Sequence, residues 1–166
     1  MNYSNVAEVE ISYKRNTKNK TRLKIQTSTE AYNILIGHWD QNKIELLEQA
    51  KILLLDKSLK VLGISEISSG GVSGTVVDPK IAFVTALKAN ASHIILAHNH
   101  PSGNLAPSDA DFKITNKIKE AGKLLDIEMS DHLIVSNDGF YSFSDRLTYE
   151  KVTRNNIVGL EALLPF

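Results

Sequence analysis

The stretch His93-Ile94-Ile95-Leu96-Ala97-His98-Asn99-His100-Pro101-Ser102-Gly103, followed by Ser108-Asp109-Ala110-Asp111, decides the fold. Ile94 to Ala97 is an unbroken apolar run, the pattern of a strand covered on both faces. Pro101, Gly103 and Pro107 then punctuate a loop, and Ser108 supplies a helix N-cap. From Ser108 to Leu125 the period is helical, and Phe112, Ile114, Ile118, Ala121 and Leu125 are the predicted buried stripe. Beyond it, 127–135 and 140–143 read as two strands joined at Asn137-Asp138-Gly139, whose Asp-Gly pair is a turn signal.

Working back toward the N-terminus, Asp78-Pro79 opens a helix whose apolar face is expected to include Ile81, Val84, Leu87 and Ala91. Thr75-Val76-Val77 reads as a short extended piece, set off by Ser68-Ser69-Gly70-Gly71. Ala50 to Leu55 and Val61 to Ile67 read as a central hairpin turned at Asp56-Lys57-Ser58. Thr27 lies three residues before Glu30, a capping-box spacing, and Ala31, Ile34, Leu35 and Trp39 recur at helical intervals, so a helix is predicted over 28–39. Alternation in 6–13 and again in 23–26 predicts an N-terminal hairpin across the basic run Lys14 to Arg22, which reads as a solvated turn. Strands and helices therefore mix in an α+β, α/β/α arrangement around one mixed sheet. The expected division is an N-terminal hairpin and helix over 1–43, a core domain over 44–145 and a tail over 146–166.

Composition narrows the function classes. The chain has 166 residues, 42% hydrophobic and 23% charged, enough for one domain with a real core. Lys+Arg and Asp+Glu are both 19, so no overall positive field draws the chain to nucleic acid. With no cysteine, any metal must be held by imidazole and carboxylate, drawn from a pool of five histidines. The apolar runs are too short to cross a bilayer, and a cytoplasmic protein is expected.

His98 and His100 are two apart at the end of an extended segment, so both imidazoles leave on the same side. Asp111, in the first turn of the next helix, can return to the same point. Two imidazoles and a carboxylate make a three-ligand zinc site with one position open for water. Each part also has a plainer reading: a surface histidine pair, and a helix start with Ser108 at the cap and Asp111 three residues on. The conjunction of interior strand, H-x-H-P, glycine loop and S-x-x-D favours the metal.

The same run, H-x-H-x7-S-x2-D, resembles the JAB/MPN (JAMM) metalloprotease motif, and more narrowly the bacterial RadC branch. The likeness extends through Asp78-Pro79, Ala89-Asn90-Ala91, Ile94 to Ala97 and Ser130-Asp131-His132-Leu133-Ile134-Val135, from about Glu48 to Phe143. It implies a cytidine-deaminase-like architecture and a zinc ion on His98, His100 and Asp111. Ser108 would help hold the oxyanion or the attacking water, and an upstream glutamate would be the general base. Glu48, just before the first strand of the central hairpin, fits that role best, with Glu66 in reserve. A peptide or isopeptide-like substrate follows from the resemblance, and Asp131-His132 could support the ligands from behind. Position 99 is Asn, as in RadC proteins, where ubiquitin-cleaving members have Ser or Thr, so isopeptidase activity does not follow automatically. The expected layout of 1–166 does not include the helix-hairpin-helix domain of full-length RadC proteins, so a DNA-binding role is not expected from the resemblance. The alternatives are a non-catalytic zinc-binding module in a DNA-repair setting and a metal-dependent nuclease. The oligomeric state is not legible.

Overall fold

The computed structural model describes residues 22–71 and 74–146. The hairpin arm expected over 6–13, most of the basic run and the tail beyond Arg146 lie outside the described residues. The elements are α1 (Ser28–Ile36), β1 (Gln49–Leu55), β2 (Val61–Ser69), α2 (Pro79–Lys88), β3 (His93–Asn99), α3 (Asp109–Leu124), β4 (Glu128–Val135) and β5 (Phe140–Ser142). The strands form one sheet in the order β2-β1-β3-β4-β5. Only β3 and β4 run parallel, joined by α3 as crossover; the other neighbours are antiparallel. This is the expected α+β, mixed-sheet architecture.

Each face of the sheet carries its own core. On one, Leu53, Leu55, Ile95, Ala97, Leu133 and Val135 pack with Ala31, Leu35 and Trp39, so α1 covers this side. On the other, Ile52, Leu54, Ile94, Leu96 and Met129 meet Ala82, Phe83 and Ala86 of α2 and Ile118 of α3. A strand covered twice buries every position, and all seven residues of β1 are buried. No helix of the described residues is long and apolar enough to cross a membrane.

The local signals at the element ends are as read. Thr27 caps α1: its hydroxyl accepts from the Glu30 N–H at 3.2 Å, while Glu30 Oε2 accepts from the Thr27 N–H at 3.1 Å. The helix stops at Gly37, earlier than expected, and Trp39 is still buried just beyond it. The predicted turn after β4 closes with the Ser136 N–H donating to Gly139 O at 2.9 Å. Leu23 to Ile25 lies beside the β1–β2 turn through a Lys24–Lys60 bridge.

Thr75 to Val77 belongs to none of the named strands and follows a Gly71–Gly74 bridge. Two expectations need correction. The buried face of α2 is Ala82, Phe83 and Ala86, with Ala91 just after it, whereas Ile81, Val84 and Leu87 are exposed. Two alanines let the helix approach the sheet closely, and Phe83 packs beside Gly122 of α3, where a Cβ would meet Ile127 O at 2.2 Å and Phe83 Cζ at 3.5 Å, so small side chains face inward and larger ones outward. In α3 the buried residues are Asp111, Thr115, Ile118 and Gly122, and Phe112 and Leu125 are exposed. Its inner face is rotated toward polar residues because those residues have partners in the site.

Candidate metal centre

Alternation along β3 sorts its last residues between the two faces. His98 follows Ile94 and Leu96 toward α2 and α3, Asn99 follows Ile95 and Ala97 toward α1, and His100 turns back beside His98 at the strand's end. The two imidazoles meet Nε2 to Nε2 at 3.0 Å. Asp111, one turn into α3, places Oδ1 at 3.0 Å from His98 Nε2 and Oδ2 at 3.7 Å from His100 Nε2. Ligand atoms from the three residues all lie within 4.8 Å of one another, so the cluster could hold a metal ion. His98 and Asp111 are buried and His100 half-buried, leaving one side open.

The donor set fits a cation. The Nδ1–H of His100 is committed to the Asn104 carbonyl at 2.5 Å, which leaves Nε2 as the nitrogen with a lone pair to offer. At zinc–nitrogen distances of about 2.0–2.1 Å, tetrahedral ligand atoms stand roughly 3.3 Å apart, close to the spacing here. Electrostatics agree. Burial opposes ionisation of Asp111, but its contacts with the His100 and His98 rings and the Ser108 hydroxyl outweigh it and hold the carboxyl well below the usual carboxylate range. The contact with Asp111 raises the His100 pKa against the effect of burial, with the Asn104 carbonyl adding to the rise. The pocket is built around positive charge.

The helix-cap reading and the ligand reading of Asp111 turn out to be compatible. Ser108 and Asp111 form a full capping box: the Ser108 N–H and hydroxyl each donate to Asp111 Oδ2 at 2.7 Å, and the Asp111 N–H returns to Ser108 Oγ at 3.3 Å. One carboxylate oxygen serves the helix terminus while the other faces His98. Ser108 lines the same cavity, with its hydroxyl hydrogen directed at Asp111.

The two glutamates are separated by the sheet. Glu48 lines a cavity of about 350 Å³ together with His98, His100, Ser108, Asp111 and His132. Its Oε1 accepts from the Thr75 N–H at 3.2 Å. Glu66 instead accepts from Lys51 Nζ and Gln49 Nε2, both at 2.8 Å, and Lys51 lies over the Trp39 ring on the α1 side. Thr75 is held against Glu48 because Gly70 admits the chain: a Cβ there would meet Gly74 O at 2.2 Å and Thr75 Cα at 2.7 Å. Gly70→Ala must therefore push backbone away from Glu48. It is expected to destabilise the fold by about 1–3 kcal/mol in urea unfolding, and an unchanged midpoint would refute the close contact.

Two supporting residues, Asn99 and Thr115, escaped the sequence reading of the site, while His132 stands behind a ligand as expected. Asn99, noted only as a departure from the peptidase pattern, is fully buried and bonds the segment carrying Glu48. Its Nδ2 donates to Ile44 O at 2.6 Å and Leu47 O at 2.9 Å, and its Oδ1 accepts from the Gln49 N–H at 2.8 Å. A polar residue predicted on a core-facing strand position was the available signal. His132 touches His98 directly, Nε2 to Nδ1 at 2.8 Å, and burial, then the nearby His98, depresses its pKa well below the ordinary value. Thr115 of α3 touches His132 in turn. Asp131, expected to act with His132, bonds the backbone of His132 and Ser144 and the Ser142 hydroxyl, tying β4 to β5 rather than reaching the site.

Comparison with known proteins points the same way. Residues 25–148 match the family model of the RadC-like JAB domain. The chain is 40% identical over 144 residues to a "UPF0758 protein" of Flavobacterium johnsoniae, covering 84% of this chain and 60% of that protein. It is 37% identical over 130 residues to one from Alkaliphilus metalliredigens, covering 78% and 55%. With the Thermotoga maritima protein it shares 41% over 98 residues, 59% and 44% of the two chains. The chain thus spans about half the length of the curated relatives it matches.

Proposed function

The chain belongs to the RadC-like JAB-domain family, and on that premise we propose that it is a zinc-dependent hydrolase of metallopeptidase type, with a peptide or isopeptide-like amide as substrate. The observation that carries this reading is the shared cavity: one carboxylate, Glu48, faces the space beside His98, His100 and Asp111. His98 Nε2, His100 Nε2 and Asp111 Oδ1 would hold the ion. Bound there, zinc would polarise a carbonyl and lower the pKa of water.

The protein's own groups supply the rest. Glu48 is oriented by the Thr75 N–H on Oε1, and its Oε2 has no partner among the described residues, so that oxygen can take a proton from an attacking water. Glu66 is already engaged by Lys51 and Gln49, which supports Glu48 as the base. Ser108 orients Asp111 directly. To donate to a developing oxyanion its hydroxyl must rotate away from Asp111 Oδ2, a motion its exposed position allows.

The test is incubation of zinc-loaded protein with peptides, isopeptide-linked peptides, and single- and double-stranded DNA, with and without chelator. Chelator-sensitive amide cleavage is expected, falling by about 10²–10⁴-fold in Glu48→Gln while bound zinc is unchanged. Cleavage of DNA alone would identify a nuclease. Zinc uptake without turnover of any substrate would identify a binding module.

A further inference from the structure

We propose that Thr115 and His132 form a hydrogen-bond relay that fixes the proton of His98 on Nδ1, so that Nε2 is the nitrogen presented to a metal. The inference rests on the metal reading for its purpose but not for its geometry.

The assignment follows from counting donors. Thr115 Oγ lies 2.5 Å from the Asp111 carbonyl oxygen and 2.6 Å from His132 Nδ1. A carbonyl oxygen can only accept, and two oxygens at that separation need a hydrogen between them, so the single hydroxyl hydrogen of Thr115 belongs to Asp111 O. Thr115 must then accept from His132, which puts a hydrogen on His132 Nδ1. His132 is fully buried, with its ring stacked on Phe143 at 4.7 Å between centroids, and among the described residues its ring nitrogens bond only Thr115 and His98, not a carboxylate. A second proton there would be an uncompensated buried charge, so Nε2 is bare. Bare Nε2 can pair with His98 Nδ1 at 2.8 Å only by accepting, so His98 carries its hydrogen on Nδ1.

The direction of every bond in the line from Asp111 O through Thr115 and His132 to His98 is thereby set. Its origin is the backbone of the residue whose side chain completes the cluster. The first turn of α3 thus fixes Asp111 at one end and, through the relay, the tautomer of His98 at the other. Histidine ligands are commonly oriented by a group on the far ring nitrogen, and disturbing that group lowers metal affinity by about 10–100-fold. Here the group is a second, neutral imidazole, itself held by a threonine. Thr115 and His132 are positioning residues: neither faces the convergence of the three ligand atoms.

The experiment is long-range ¹H–¹⁵N NMR of the histidine rings in the metal-free protein, paired with zinc affinity by chelator competition. In the wild type His132 should be neutral with its hydrogen on Nδ1, and His98 should carry a hydrogen on Nδ1. In Thr115→Val, which keeps shape but not the hydroxyl, His132 should lose its single tautomer and zinc affinity should fall about tenfold. Thr115→Ser should restore both the spectrum and an affinity within about threefold of wild type, a rescue that packing alone would not give. A wild-type His132 protonated on Nε2, or doubly protonated at neutral pH, would overturn the relay. So would a folded Thr115→Val protein with the wild-type ring spectrum. Should Thr115→Val fail to fold, the wild-type and Thr115→Ser spectra still decide. A wild type that takes up no zinc would sink the metal reading instead, leaving the tautomers to be read as before.

Discussion

His98→Ala is expected to lower zinc affinity by on the order of 10³-fold. Complete structural zinc sites are held by about 10–16 kcal/mol, so one ligand of three or four carries roughly 4 kcal/mol. Among the described residues His98 has no substitute nearby: His132 lies behind it, with Nε2 directed at His98 Nδ1 rather than at the cluster. The wild type should be stabilised by about 2.7 kcal/mol at zinc one hundred times above Kd. For a chain of this size that is a rise in Tm of roughly 5–10 °C, and the variant should show none of it at the same zinc. His93→Ala is the matched control, since His93 sits at the other end of β3 beside Ser130 and Glu128. It should retain the full response. Wild-type affinity in a folded His98→Ala protein would remove His98 from the ligand set.

What the sequence exposed and what it hid divide along physical lines. The strand of His98 and His100 was legible because apolar continuity from Ile94 to Ala97 is a one-dimensional signal, and period two then places both imidazoles together. The caps at Thr27, Asp78 and Ser108 were legible because each is a hydroxyl or carboxylate next to its own helix. The inner face of α3 differs from the predicted one because an apolar period does not register Asp111 and Thr115, which are buried there as polar partners of the site. The face of α2 differs for the opposite reason: close packing selected Ala82 and Ala86 over the larger Ile81, Val84 and Leu87. The choice between Glu48 and Glu66 needed the third dimension, since which glutamate faces the cavity depends on the pairing of β1 with its neighbours. The same holds for the contact of His132 with His98, which comes from parallel strands separated in sequence by all of α3.

Asn99 carries the second large expected effect, because its one side chain satisfies three backbone groups, two of them buried and that of Leu47 half-buried. Asn99→Leu keeps the branching and heavy-atom count of the side chain while removing its polar atoms, so a residue serving only as filler would lose little beyond the cost of two bulkier methyl groups. Instead it should strand the Gln49 N–H and the Ile44 carbonyl away from water and leave the half-buried Leu47 carbonyl without its donor. Each orphaned group costs about 1–3 kcal/mol, and with partial relaxation the sum should be about 3–5 kcal/mol in urea unfolding. Asn99→Asp should be at least as damaging, since a carboxylate can still accept from Gln49 but turns a negative charge toward two carbonyl oxygens. Asn99→Ser, too short to span from β3 to segment 44–49, should fall between wild type and Asn99→Leu. The damage should be local before it is global. Amide exchange at Gln49, whose N–H loses its acceptor, should accelerate by more than at Leu133 in the centre of the sheet. Glu48 lies between two of the residues that Asn99 ties, Leu47 and Gln49, so loosening them should also displace the carboxylate from the cavity it shares with His98, His100 and Asp111. A loss of less than about 1 kcal/mol in Asn99→Leu would show that water or rearranged backbone meets those three groups, and that Glu48 is positioned by the Thr75 contact alone.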